Sequence, residues 1–275
     1  MIEAVRIVTA PSSATAPSDC RGQVLVSGSY GGEYNAYHAG KWGIRGVVLN
    51  DAGVGKRCAG IRGLDYLDRV DLAAAAADAN TCHIGDGDHM LEFGRVSFVN
   101  RAAARWGCRA GDSVRGCAER MCHAPVATAA MPLISGGKRY SIAHQPGEPA
   151  IVCLDAAPML EPADKGRIVI TGSHAALFRG KPDDVIRPQV RAIFFSDAGV
   201  GMDAAGIARL PVLDARGIAA GTASADSAEI GDSRSIYEDG VLSHFNAAAS
   251  TLGARRGVRI REFVAALVEH WRVSS

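Results

Sequence analysis

The chain has 275 residues, is 48% hydrophobic, and carries 30 Lys and Arg against 29 Asp and Glu, a formal net charge of +1. That balance gives no bulk attraction for nucleic acid or an anionic membrane surface, and no run of about 18 apolar residues marks a membrane span. Met1-Ile2-Glu3-Ala4 lacks the basic-then-apolar order of a signal peptide, and the seven cysteines, all at or before Cys153, do not read as a disulfide framework, so a reducing cytoplasm is expected.

In chain order, residues 5–9 read as a short strand and 11–19 as a Pro/Ser/Ala loop. Residues 23–27 are an apolar, β-branched run ending in Gly28-Ser29-Tyr30-Gly31-Gly32, with a predicted helix over 33–41. A buried strand is predicted at 44–49, stopped by Asn50-Asp51-Ala52-Gly53-Val54-Gly55. The spacing of Ile61, Leu64 and Leu67 marks a helix over 59–69. The alanine run at 72–79 fits helix or strand; its counterpart at 218–223 holds Ile, Gly and Thr, which favours strand. Helices are predicted at 96–106 and 113–121. Residues 122–147, punctuated by Pro125, Pro132, Gly136-Gly137 and Pro146-Gly147, read as a connector with one short strand at 139–142. Beyond it the plan repeats, with strands at 150–154, 167–171, 190–195 and 218–223 and helices at 205–216, 241–252 and 260–271. This alternation predicts an α/β protein with mostly parallel sheets covered on both faces. The two strands opening each half have no helix between them, which leaves the first free to run antiparallel.

The chain also repeats itself. Asp51-Ala52-Gly53-Val54-Gly55 returns as Asp197-Ala198-Gly199-Val200-Gly201, 146 positions later. Held without gaps from Asp51 to Gly111, that offset gives about 27 identities in 61 positions, beyond chance pairing. Upstream the offset is 144, and Gly28-Ser29 returns as Gly172-Ser173. The expected organisation is an internal duplication: a βαβαβα-type unit over 1–121, a connector over 122–147 and a second unit over 148–275, related by a pseudo-twofold axis.

In open α/β sheets ligands bind beyond the carboxyl ends of the strands. The polar residues shared by both halves concentrate in those loops: Ser29 with Ser173, Asp51 with Asp197, Asp86 with Asp232. Gly28, Tyr30, Gly31 and Gly32, with Ser173 and His174 in the second half, are candidates to cradle an anionic or polar substrate through backbone N–H groups; a tight turn that simply needs glycine is the alternative. The loop fits neither the Walker nor the dinucleotide fingerprint, and Ser29 matches a nucleophile elbow only weakly. Asp51 and Asp197 suit a general base, a metal ligand or an acceptor for substrate hydroxyls, against an Asx-type cap. Lys56 is replaced by Met202 in the second half.

The densest stretch is His83-Ile84-Gly85-Asp86-Gly87-Asp88-His89. Imidazole beside carboxylate suits a divalent metal on His83, Asp86, Asp88 and His89, or metal-free acid–base work by His83 and Asp86. A turn with surface histidines is the third reading. Cys82 and His83 are neighbours that point apart on a strand, so they make no dyad. Ser97 and Asn100, repeated as Ser243 and Asn246, are expected on one helix face with a buried role between the halves.

These features point to an enzyme for a small polar or anionic metabolite, a hydrolase first, with Asp51, His83, Asp86, Ser29 and Lys56 as catalytic candidates and Asp197 and Asp232 contacting substrate. An isomerase or racemase with its site between the halves is the second enzymatic reading. No cysteine pair matches between the halves, which disfavours a two-thiol mechanism. A non-catalytic two-lobed binding protein is the reading from another class. A homo-oligomer is compatible with the composition.

Overall fold

A computed structural model describes residues 4–134, 136–142, 145, 148–182 and 185–273. The start of the chain at Met1 and the turn expected at Pro146-Gly147 lie outside them. Two mostly parallel sheets are interleaved with helices. The first comprises β1 (Ile7–Ala10), β2 (Val24–Tyr30), β3 (Gly46–Asn50), β4 (Ala73–Ala77) and β5 (Val96–Val99), hydrogen-bonded in that order. Its helices are α1 (Glu33–Lys41), α2 (Gly63–Asp68), α3 (Gly87–Phe93), α4 (Arg101–Arg105) and α5 (Val114–Met121). The second sheet comprises β6 (Arg139–Ile142), β7 (Ile151–Leu154), β8 (Ile168–His174), β9 (Ala192–Ser196), β10 (Ala219–Ala223) and β11 (Leu242–Phe245), again with neighbours in chain order. Its helices are α6 (Arg209–Asp214), α7 (Ser233–Glu238), α8 (Ala247–Thr251) and α9 (Ile260–Val273). None of the described helices is long and apolar enough to cross a membrane, and all seven cysteines are free thiols.

The alanine run becomes β4 because its side chains must be small on both faces. Ala74 and Ala76 pack under α1 and α2 beside Leu64 and Leu67. Ala73, Ala75 and Ala77 pack on the other side with Met90, Cys117 and Met121 of α3 and α5. Strand alternation thus feeds two helix layers. The second sheet is covered alike, by Leu210 and Leu213 on one face and by Ile260, Val264 and Leu267 on the other.

Three expectations are corrected. The first strand of each sheet runs parallel to its neighbour, β1 to β2 and β7 to β8. Residues 11–23 supply the crossover, with two 3₁₀ turns, Ser13–Thr15 and Ser18–Cys20, in place of a helix. The antiparallel members are β5, β11 and β6. Residues 96–106 and 241–252 are not single helices: each is an edge strand followed by a short helix capped by an Asn side chain. Ser97 therefore lies on β5 rather than on the helix face of Asn100, and Asn100 bonds within its own half. Its Oδ1 accepts from Ala74 and Ala103, and its Nδ2 donates to Leu72 and Leu64. Gly28-Ser29-Tyr30 is strand, not loop. A Cβ on Gly28 would lie 2.4 Å from the Asp86 nitrogen, so the glycine is there to let the following turn cross the strand.

The connector serves both sheets. Ala127, Met131 and Ile134 pack on the first core, and Tyr66 donates to the Pro132 carbonyl at 2.5 Å. Strand β6 adds to the edge of the second sheet beside β7.

Candidate functional site

The loops after β3 and β9 meet head to head. Ala52, Gly53, Val54 and Gly55 have φ of 49, 71, 64 and 65°, and Ala198, Gly199, Val200 and Gly201 have 49, 72, 64 and 69°. Such a left-handed run is costly for Ala and Val. An aspartate holds each. Asp51 Oδ1 accepts the N–H groups of Gly53 and Ala79 at 3.0 Å. Asp197 Oδ1 accepts those of Gly199 and Ala225 at 3.0 and 2.9 Å. Burial raises the Asp51 pKa, and the two N–H donors and Ser97 oppose it. A Cβ on Gly53 would sit 2.8 Å from Gly199 Cα, and the reverse holds. Lys56 N–H donates to Ala225 O, and Met202 N–H to Ala79 O, each at 2.8 Å. The loops of the two aspartates thus form a seam between the sheets.

Lys56 and His83 also bridge this seam, with ion pairs around them. Lys56 Nζ reaches Asp239 and the Ser227 carbonyl at 3.0 Å. Arg57 and Arg62 converge on Glu229 at 2.9 and 2.7 Å. His83 Nε2 lies 2.9 Å from Asp203 Oδ2, and its ring stacks on His89 with centroids 3.7 Å apart. Asp86 caps α3 by accepting from Asp88 and His89, as Asp232 caps α7 by accepting from Arg234 and Ser235. Asp88 binds the Thr9 hydroxyl and Arg179. The proposed metal quartet is thus held by helix capping, ring stacking and contacts to Asp203, Thr9 and Arg179, and among the described residues no group of three or more His, Cys, Asp or Glu is placed to hold a metal ion. Burial drives the Cys82 thiol up to about 12, far from a reactive thiolate.

Two cavities lie elsewhere along the seam, and a third opens beside them in the second half. Ser29 and Ser173 both border one cavity of about 220 Å³, with Tyr30, Tyr34, Asp155 and His174. Each serine hydroxyl accepts a backbone N–H at the head of a 3₁₀ turn, Ser29 from Ser13 at 3.0 Å and Ser173 from Ala157 at 2.9 Å. Nδ1 of His174 accepts the Ala176 N–H at 3.2 Å. Gly31 gives its N–H to the Asn50 carbonyl at 2.8 Å. A Cβ on Gly32 would strike the Tyr30 ring at 2.4 Å. These glycines serve packing. Gly32 also borders a second cavity, of about 150 Å³, with Tyr30, Tyr34, Asp155, Arg62 and Asp232. A third, of about 400 Å³, is bordered by Lys138, Arg139, Tyr140, Asp155, Asp232 and Arg234.

Asp155 borders all three cavities. It directly follows β7 and is 9% exposed. Its Oδ1 accepts the Ser233 N–H and hydroxyl at 3.1 and 2.9 Å, and its Oδ2 accepts the Lys138 N–H at 2.8 Å. Burial and the Asp155 charge raise the pKa of both Tyr30 and Tyr34, so both phenols stay protonated as donors. Asp155 leaves no echo in the sequence, because the position 144 earlier is Pro11. The available signal was a carboxylate directly after an apolar strand. The chain was compared with protein-family models, curated proteins and solved structures, and none of them matches it.

Proposed function

We propose that the protein is an enzyme that hydrolyses a small polar or anionic metabolite by acid–base chemistry in the cavities along the seam. The observation that carries this reading is the buried Asp155 carboxylate at the common wall of three cavities. Tyr30 at the end of β2 and Tyr34 of α1 border the same cavity as this carboxylate, as does His174 at the end of β8. Carboxylate and imidazole are suited to take a proton from attacking water and return it to a leaving group. Phenols kept protonated can donate to the oxyanion that develops between those steps. In this reading Asp51, Asp197, His83, Lys56 and Asp86 build the seam and its helix caps, while Ser29 and Ser173 shape the cavity. The test is a screen of hydrolysable metabolites with Asp155→Asn and His174→Asn variants. Turnover should fall by roughly 10²–10⁴-fold in each with little change in melting temperature; variants that turn over like the parent would sink the assignment.

A binding protein is the second reading. The Ser29 and Ser173 hydroxyls and the Asp155 carboxylate already hold protein donors, as in a site that shapes rather than reacts. Saturable binding without turnover would favour it.

We also propose that the chain is an internal duplication, with units over 1–121 and 148–275 joined by 122–147 and a pseudo-twofold axis at the Gly53–Gly199 crossing. The identities support it. So do register breaks at corresponding places, between Val26 and Tyr30 and between Ile170 and His174. Superposing residues 51–111 on 197–257 tests it.

A further inference from the structure

The largest of the three cavities that meet at Asp155 is unequally engaged. Arg139 is committed to Asp164, at 2.7 and 3.1 Å. Asp155 and Asp232 each accept backbone N–H groups. Lys138 and Arg234 form no ion pair among the described residues. Arg234 lies over the Tyr140 ring, 5.3 Å from its centroid. The buried Tyr140 hydroxyl lies beside Cys153, Ser233 and Arg234 yet meets none of them in hydrogen-bonding geometry. Uncommitted donors among carboxylates that already hold donors call for a ligand rich in acceptors and negatively charged.

We infer that this cavity is the anion-recognition arm of the Asp155 site, taking a compact oxyanion of the substrate, carboxylate or phosphate, on Lys138, Arg234 and Tyr140. The inference rests on the enzymatic reading above and narrows its substrate to an anionic metabolite. Strand β6 brings Tyr140, and Lys138 directly precedes it. The first sheet ends at β1 with no such strand beside it, and the position 146 before Arg234 is Asp88, already engaged with Thr9 and Arg179. Among the described residues this arm is built once, on the second sheet.

The test measures binding of inorganic phosphate, malonate, acetamide and methylammonium to the full chain by calorimetry, alongside turnover. Phosphate or malonate should bind at millimolar concentration, and Lys138→Met/Arg234→Met should weaken it by at least about tenfold, the loss of one charge-assisted hydrogen bond or more. Preference for phosphate or for malonate then tells a phosphorylated substrate from a carboxylated one. Tyr140→Phe should weaken the same anion less. If the double variant does not fold, Lys138→Met alone, at an exposed side chain, carries the test. Failure of both anions to bind, equal binding by the variants, or preference for acetamide or methylammonium overturns the proposal. Asp155→Asn separates the two readings: it should retain anion binding and lose turnover. Turnover without anion binding refutes the arm alone, whereas anion binding without turnover on any substrate refutes the enzyme alone.

Discussion

Asp51 and Asp155 both follow an apolar strand directly, yet Asp155 borders three cavities. Asp51 is enclosed by its own loop and satisfies Gly53 and Ala79. Asp51→Ala, which orphans both N–H groups, should cost about 1–3 kcal/mol in urea unfolding, while Asp51→Asn keeps an oxygen acceptor and should cost less. Burial raises the folded pKa of Asp51. The fold therefore favours the protonated acid: that contribution is present below the unfolded pKa of about 4 and is lost as pH rises through the folded value. Asn cannot ionise, so Asp51→Asn should gain on the parent as pH climbs from acid to neutral; a gap that widens the other way would contradict this. Asp51 was legible because both halves carry it. Asp155 was not, because a site that differs between the halves leaves no echo in a self-comparison. Which carboxylate faces open space depends on how the strands and loops assemble, and sequence does not contain that.

At the scale of elements, most strands and helices were legible from periodicity and glycine punctuation, including β4, β6 and α1. The single helices expected at 96–106 and 241–252 failed for one cause. Val96, Val99, Ala102 and Ala103 mimic helical spacing although they span an edge strand, a cap and a short helix. Asn100 is the hinge of that change and, with four backbone partners, the tie between β4, α2 and α4. Asn246 repeats the pattern with Ala220, Ala249, Ile218 and Leu210. Asn100→Ala should destabilise by about 2–4 kcal/mol, since several buried groups lose partners together. A thermal or urea melt within error of the parent would show that solvent replaces those bonds.

Across the whole molecule, the crossing of Gly53 and Gly199 brings the two sheets together, and charges on either side decide which half can pair with which. Arg57 meets Glu229, and His83 meets Asp203. Asp203 stands 146 positions after Arg57, and Glu229 stands 146 after His83. Two copies of the first half would set Arg57 against His83; two copies of the second would set Asp203 against Glu229, like against like. The second half is thus complementary to the first and repelled by a copy of itself, while two first halves would lack the carboxylates that Arg57 and His83 pair with. Cut near residue 135 and made as separate chains, the halves should recombine as a one-to-one heterodimer in sedimentation, with the preference fading as salt screens the charges. Homodimers of either half that compete equally at low salt would show the charges to be passengers. A chain whose two facing loops carry complementary charges can close on itself.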